Sequence, residues 1–525
     1  MAFLAGVGVR WLASGRVSRN TLARMVTSTA GLVEPRAEGF PRHLLKDPSL
    51  LKTDNFAGGE FVSGDSGSFA VFNPATNEEL ARVSSFGKEE TRKAIEAASL
   101  SFVSWKKSTP SSRSDVLRKW YEAIINNADD LSAIMTLEQG KPLAEALGEV
   151  RYGASYVDWF SGEAVRSSGG YMDLDNRRAI VMRQPVGVCA AITPWNFPLA
   201  MITRKAAAAI AAGCTFVVKP AEATPLTALA LAELARRAGI PAGVFNVICG
   251  SNPKEIGLEL STNPSVKKIT FTGSTNVGKI LLEQSASTVK RACMELGGLA
   301  PLIVLEDADL KKAAAQTVSN KMRNQGQTCI SANRIFVHKS VADRFVSELE
   351  EIMKPMKVGN GVDPGVVVGP LINAAAVEKV KSHVEDAVSK GAEIVLGGKH
   401  LTELGENFYA PTILKNVSMD SLFCCEETFG PVLAVIPFES EDQVIERAND
   451  TDFGLASYVF TESLSKAMRI GEALESGMVG INSTALSDAR APFGGIKQSG
   501  MGTEGGPTGI HEYQNLKYVC FAADS

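Results

Sequence analysis

Between Lys88 and Val165 the apolar positions recur at helical spacing, as in Thr91–Ala98 and again from Ser112 to Ile125, which predicts a layer of helices. After residue 185 the pattern changes to short apolar runs separated by amphipathic stretches. The runs Val186–Ile192, Thr215–Val218, Val244–Ile248 and Ile269–Thr272 predict strands, and Pro198–Ala212, Thr224–Ala238 and Asn276–Ala286 predict helices. Strands so uniformly apolar are covered on both faces, so the alternation predicts an α/β fold with a parallel, doubly wound sheet whose ligands bind at the carboxyl ends of the strands. A second cycle begins near Pro301, with helices predicted at Leu310–Met322 and Val341–Met353 and strands at Val432–Phe438 and Met478–Ile481, and reads as a second α/β domain. The terminal run Tyr513–Phe521 is β-prone, would leave its ladder groups bare if unpaired, and can pair with another subunit.

Composition narrows the function. A chain of 525 residues that is 45% hydrophobic can bury large cores, and it contains no run of 18 apolar residues, so a membrane span is not expected. A net charge of −4 offers no basic surface for a phosphate backbone, which makes small molecules, not nucleic acid, the expected partners. In residues 1–33 the only charges are Arg10, Arg16, Arg19 and Arg24, and the first acid is Glu34, a pattern like a mitochondrial transit peptide. A disordered terminus is the alternative. Setting those four arginines aside takes the net charge to −8. The eight cysteines and five histidines show no metal-ligand spacing, so no metal is expected, and free cysteines suit a reducing compartment such as the mitochondrial matrix.

Chemistry-bearing residues sit at the ends of these predicted elements. Asn324-Gln325-Gly326-Gln327-Thr328-Cys329-Ile330-Ser331 delivers a cysteine on a polar loop between a helix and a strand, where a thiol is accessible. Thr193-Pro194-Trp195-Asn196-Phe197-Pro198 follows a strand and puts an amide on a Pro-braced turn; Asn196 can donate to an oxyanion with the Cys329 N–H as second donor, or serve only as a turn residue. In Met294-Glu295-Leu296-Gly297-Gly298 a carboxylate in apolar surroundings suits a general base near neutral pH. Val217-Val218-Lys219-Pro220-Ala221-Glu222 ends a strand with a cation and an anion that together can hold ribose hydroxyls, and a carboxylate there repels a 2′-phosphate, so NAD is expected over NADP. Phe271-Thr272-Gly273-Ser274-Thr275-Asn276-Val277-Gly278 is a strand, a Gly turn and a helix start suited to a pyrophosphate, although it is not the usual GxGxxG fingerprint.

Together these segments, with Glu426-Glu427-Thr428-Phe429-Gly430-Pro431 and Pro492-Phe493-Gly494-Gly495, resemble the NAD(P)-dependent aldehyde dehydrogenase superfamily from about residue 50 onward. The resemblance implies a Rossmann-like NAD-binding domain (residues 45–163 and 188–297), a catalytic domain (298–506) and oligomerisation segments (164–187 and 507–525) that build a homodimer or homotetramer, the tetramer being expected. It makes Cys329 the nucleophile, Glu295 the base and Asn196 the oxyanion donor, with Lys205 and Glu504 on the proton path from the base. Cofactor contacts fall to Thr193, Trp195, Lys219, Glu222, Gly273, Ser274, Glu427 and Phe429.

Met201–Lys205, Glu295–Pro301 and Lys321–Asn324 look most like the succinate-semialdehyde branch of that family, which implies oxidation of that aldehyde to succinate, the last step of GABA degradation. A substrate ending in a carboxylate needs cations at the far end of its pocket. Arg204 and Arg323, arriving from separate segments, can supply charge-assisted hydrogen bonds, and Ser487 matches the serine that completes the anion site. Each arginine alone also fits a surface or inter-domain ion pair. The segment 483–490 departs from the branch, with Asp488 and Arg490 adding charge near the anion site, and Ser331 removes the second loop cysteine that could form a disulfide with Cys329. Open alternatives are another ω-carboxy aldehyde such as glutarate semialdehyde, a CoA-acylating enzyme, and a non-catalytic relative.

Overall fold

The computed structural model describes residues 36–522, so the transit-peptide expectation for residues 1–33 lies outside the described residues. Two parallel sheets carry the fold. In the first, the strands run Phe245–Val247, Thr215–Lys219, Val188–Ile192, Val266–Thr272, Arg291–Glu295 across the sheet, all parallel, and are extended by antiparallel pieces at both edges. One edge piece is Asn55–Ala57 with Glu60–Val62. The other, Gly500–Met501, lies just over two hundred residues downstream and pairs with Met294 and Glu295, tying a distant part of the chain to the strand that carries Glu295.

Chain order reverses in the middle of this sheet. Val188–Ile192 comes first; the next two strands build outward on one side, and Val266–Thr272 and Arg291–Glu295 build outward on the other. The loops leaving Ile192 and Thr272 therefore diverge and leave a crevice between them, the place where open α/β sheets bind ligands. The helix expected at Pro198–Ala212 begins at Ala200, and all thirteen of its residues are buried, Arg204 and Lys205 among them. It packs on the long helix Leu143–Arg166, where Gly153 permits the contact: a Cβ there would stand 2.2 Å from a Leu199 methyl and 3.1 Å from the Ala200 Cα.

In the second sheet the order is Glu393–Leu396, Thr412–Lys415, Val432–Phe438, Arg334–His338, Pro301–Val304, Ala456–Phe460, Met478–Ile481, parallel except for the first pair. The expected helices appear at Leu310–Met322 and Ala342–Met353, and a further one, Ala374–Ser389, was not read from the sequence. The terminal strand, Gln514–Ala522, also finds a partner within its own chain. It pairs antiparallel over its whole length with Arg177–Pro185 of its own chain, and the hairpin partner Gly170–Leu174 closes a three-stranded sheet. The ladder groups that looked bare in sequence are half satisfied by a hairpin that folds out beside the terminus. Among the described residues no helix is long and apolar enough to cross a membrane, and no cluster of His, Cys, Asp or Glu is placed to hold a metal.

Candidate active site

The turn leaving Ile192, the loop leaving Thr272 and the cysteine loop of the second sheet converge on one cavity of about 430 Å3. Eleven residues singled out in the sequence line it: Trp195, Asn196, Arg204, Gly273, Ser274, Glu295, Arg323, Cys329, Glu427, Phe429 and Ser487. Thr193, Lys219, Glu222, Lys205 and Glu504 do not. Thr193 is buried behind the turn, with its N–H on the Lys219 carbonyl, and Lys219 and Glu222 stand as an ion pair at the end of the neighbouring strand. Lys205 and Glu504 lie paired beneath Arg204.

Cys329 sits on an unusual backbone. Asn324, Gln325 and Gly326 take three successive left-handed conformations (φ 50°, 56° and 76°), which reverse the chain between the helix Leu310–Met322 and the cysteine. Only glycine fits the third, since a Cβ there would lie 2.1 Å from the Gly430 carbonyl oxygen. Left-handed Asn and Gln cost energy unless their surroundings hold them. Here Asn324 donates its N–H to Glu145 (2.6 Å) and its Nδ2 to the Asn196 carbonyl (2.9 Å), and its Oδ1 accepts from Gln139 (2.9 Å). The result fixes Cys329 against the Asn196 turn.

Asn196 is buried and donates one Nδ2 hydrogen to the Gln327 carbonyl at 2.9 Å, leaving the second amide hydrogen free. No acceptor takes the Cys329 N–H among the described residues. The two donors expected for an oxyanion are therefore both available. The thiol is half-buried, less accessible than its loop suggested, and burial, with the nearby Glu427 carboxylate, pushes its pKa up to about 12. At neutral pH it is a thiol, and attack on a carbonyl requires a base. Glu295 meets that need: both carboxylate oxygens are buried without a partner, and burial, reinforced by the charge of Glu504, raises its pKa well above the ordinary carboxylate value.

At one end of the cavity the Trp195 and Phe429 rings meet edge to face at 5.7 Å, with Phe429 held at φ 57°, and Glu427 accepts from the Gly298 N–H at 3.4 Å. Burial raises the Glu427 carboxyl to about 7. This end lies in the crevice of the first sheet, where Ser274 caps the helix Thr275–Ala286 and Thr193 holds a buried hydroxyl without a partner. A dinucleotide fits such a place: a helix start for phosphate, a ribose-binding carboxylate and two rings to enclose an aromatic ring.

At the other end stand the two arginines. The Arg204 guanidinium is buried against the Phe493 ring (4.1 Å), gives its Nε to Glu504, and leaves one terminal nitrogen buried without a partner. Burial opposes charge on Glu504, but Arg204 and Lys205 together outweigh it and hold its carboxyl below the usual range. Arg323 has no ion pair among the described residues; its guanidinium lies 4.7 Å from the Phe197 ring and 5.9 Å from that of Tyr152. Ser487 also lines the cavity. Sequence reading missed Tyr152, whose helix carries no motif, whereas Phe197 and Phe493 stood inside quoted motifs without a role. It also missed the buried pair Lys141 and Glu149, whose positions carry no pattern distinct from an ordinary helix start.

Comparison with known proteins agrees with this geometry. The sequence family described as "Aldehyde dehydrogenase family" matches residues 61–519. The chain is 52% identical over 481 residues to "Succinate-semialdehyde dehydrogenase [NADP(+)] 1" of Schizosaccharomyces pombe, covering 90% of this chain and 97% of that one. It is 50% identical over 510 residues to "Succinate-semialdehyde dehydrogenase, mitochondrial" of Oryza sativa subsp. japonica (96% of each chain), and 50% identical over 479 residues to "Glutarate-semialdehyde dehydrogenase" of Pseudomonas aeruginosa (91% and 99%). A solved structure described as an E. coli NADP dependent enzyme superposes with a TM-score of 0.90 at 49% identity, covering 91% of this chain and all of that one. The expected preference for NAD over NADP is overturned by the NADP in two of these descriptions. The structure offers the physical reason: the Glu222 carboxylate, invoked to repel a 2′-phosphate, is paired with the Lys219 ammonium and does not stand as a lone negative charge. Fold, cavity and relatives agree that this chain belongs to the aldehyde dehydrogenase family.

Proposed function

We propose that the protein oxidises succinate semialdehyde to succinate, with Cys329 as nucleophile, and the observation that carries this is the cationic end of the cavity. An aldehyde carbonyl placed at Cys329 points the rest of its chain toward Arg323, the free nitrogen of Arg204 and Ser487. A neutral aldehyde would leave these cations uncompensated, whereas a terminal carboxylate receives charge-assisted hydrogen bonds from them. The names of the Schizosaccharomyces pombe and Oryza sativa relatives support this substrate, and that of the Pseudomonas aeruginosa relative supports its one-carbon-longer homologue as the second reading.

Cys329 loses its proton to Glu295 and its sulfur bonds to the aldehyde carbon. The carbonyl oxygen becomes an oxyanion held by the Asn196 amide and the Cys329 N–H. Glu427, Phe429, Trp195, Gly273 and Ser274 would hold a nicotinamide dinucleotide in the crevice of the first sheet, with Lys219 and Glu222 beside it, and it would accept the hydride whose departure from the adduct carbon leaves the thioester on Cys329. Once Glu295 has passed the cysteine proton outward, it takes a proton from water, the hydroxide adds to the thioester carbon, and the carbon–sulfur bond breaks to release the acid and return Cys329 as the thiolate. Lys205 and Glu504 continue from Glu295 as the exit for its proton, supported by the influence of the Glu504 charge on Glu295. A base of this kind argues for water over CoA as the thioester acceptor.

The arginine-bearing, acid-free N-terminus and a relative named mitochondrial support import into the mitochondrial matrix. Assembly into a homotetramer is supported by the three-stranded sheet, whose outer edges have no strand neighbour among the described residues and whose Tyr171, Met172, Leu516 and Tyr518 are exposed. The deciding experiment measures reduced cofactor and acid product with succinate semialdehyde, glutarate semialdehyde and butanal, with NADP+ and NAD+ in parallel and with or without CoA. A kcat/KM for succinate semialdehyde at least tenfold above the other two is expected; equal values for butanal would sink the carboxylate reading, and a preference for glutarate semialdehyde would establish the second.

A further inference from the structure

Asn196 can serve an oxyanion only if its turn is held, and the turn lies between two separately folded sheets. Its backbone carbonyl accepts from two side chains, the Lys141 ammonium at 2.8 Å and the Asn324 amide at 2.9 Å. The second comes from the cysteine loop itself. Lys141 is 1% exposed and paired with Glu149, equally buried, and its ammonium also lies 4.1 Å from the Phe197 ring, next to Asn196 in sequence. The other Glu149 oxygen accepts from the N–H groups of Leu199 (2.9 Å) and Ala200 (3.2 Å), the cap and first residue of the helix that carries Arg204 and Lys205. One buried ion pair thus grips both ends of the segment from Asn196 to Ala200.

A buried ion pair is a poor choice for stability alone, because apolar side chains of similar volume usually serve as well or better. What an apolar pair cannot supply is a directed hydrogen bond to the Asn196 carbonyl. Without it the carbonyl keeps only the Asn324 donor, and the turn can rotate its amide away from Cys329. Misplacement of an oxyanion donor by a fraction of an ångström weakens a bond made mainly in the transition state, so the loss falls on kcat and little on KM.

We infer that Lys141 and Glu149 are positioning residues for the oxyanion site, clamping the Asn196 turn and the start of the following helix in the geometry the transition state requires. The inference rests on the role proposed above for Asn196. It is tested with the full-length enzyme carrying Lys141→Met and Glu149→Leu together, Asn196→Ala alone, and all three combined, each measured for melting temperature, kcat and KM for succinate semialdehyde. The double variant should melt within a few degrees of the wild type, keep KM within threefold and lose at least 30-fold in kcat, and the triple variant should be no slower than Asn196→Ala alone. A double variant with kcat within threefold of the wild type, or losses that multiply in the triple variant, would overturn it. Should the double variant not fold, Lys141→Arg, which keeps the charge but not the point-like ammonium, takes its place: a kcat loss of at least tenfold at unchanged KM is expected, and wild-type kcat overturns the inference. If Asn196→Ala itself retains kcat within threefold, it is the oxyanion assignment that falls.

Discussion

Arg204 and Arg323 look interchangeable in sequence, each a basic residue close to a motif, yet the fold treats them oppositely. Arg204 lies inside a helix with no exposed residue and shares Glu504 with Lys205, leaving one nitrogen for a ligand. Arg323 stands at the end of the helix Leu310–Met322, half-buried, with aromatic rings for company and no ion pair among the described residues. On the proposed function Arg204 is then both scaffold and ligand, a cation whose geometry is set before substrate arrives, and Arg323 is the charge that substrate would neutralise. A carboxylate site built this way gains precision from the first and selectivity from the second.

Removing Arg204 should have the largest effect. Arg204→Ala leaves Glu504 buried with half its compensation, a loss of about 3–5 kcal/mol when one partner of a buried pair is deleted. Thermal unfolding should register this together with a fall of more than about 100-fold in kcat/KM, the sum of a lost donor and a displaced carboxylate. The sign of the pH dependence sharpens the point. Glu504 has a depressed pKa in the folded protein, so its contribution is present above the ordinary glutamate value of 4.5 and is lost as pH falls through the lower folded value. Glu504→Gln should therefore be clearly less stable than the wild type at pH 7, with the gap closing as pH is lowered below 4.5. A gap independent of pH would mean that Glu504 is neutral in the fold and that Arg204 is the freer cation.

Arg323→Ala should separate the two roles. No ion pair is broken among the described residues, so the melting temperature should move by the equivalent of less than about 1 kcal/mol, as for a side chain outside any ion pair. KM for succinate semialdehyde should rise about 10- to 100-fold, the worth of a hydrogen bond between charged groups, while activity on butanal stays within threefold. Equal losses on both aldehydes would return Arg323 to a structural role and erase the contrast with Arg204. The smallest effect belongs to Ser487→Ala, which removes one neutral hydroxyl and should raise KM for the acid aldehyde about three- to tenfold with no change in stability.

Much of this was legible without coordinates, and the reasons differ from element to element. Buried parallel strands must be apolar throughout, so Thr215–Lys219 and Val432–Phe438 announced themselves. Loops that line a cavity leave such strands at their ends, so Cys329, Asn196, Glu295 and Glu427 could be picked out beside their turns, and all four line the one cavity. Edges were harder. The pairing of Gly500–Met501 with the Glu295 strand joins residues about two hundred positions apart, and the two-residue contact leaves no periodic trace. Gln514–Ala522 was legible as a strand but not as a partner of Arg177–Pro185, because β-propensity names no mate. The specificity expected of Glu222 failed for a related reason: a carboxylate's repulsion depends on whether a cation neutralises it, and Lys219 does.

By itself, then, the sequence determined the two α/β cycles, the order of the motifs and the candidates for the reactive groups, because these follow from local periodicity and from the chemistry of single side chains. Only the tertiary structure decided which groups are free and which are committed. Arg204, Glu504 and Lys205 are drawn into one buried cluster, Arg323 has no ion pair among the described residues, and Lys141 reaches across 55 positions of sequence to the Asn196 carbonyl. Pairing and burial set the energy of a charge, and both are properties of three-dimensional surroundings that one-dimensional spacing does not encode.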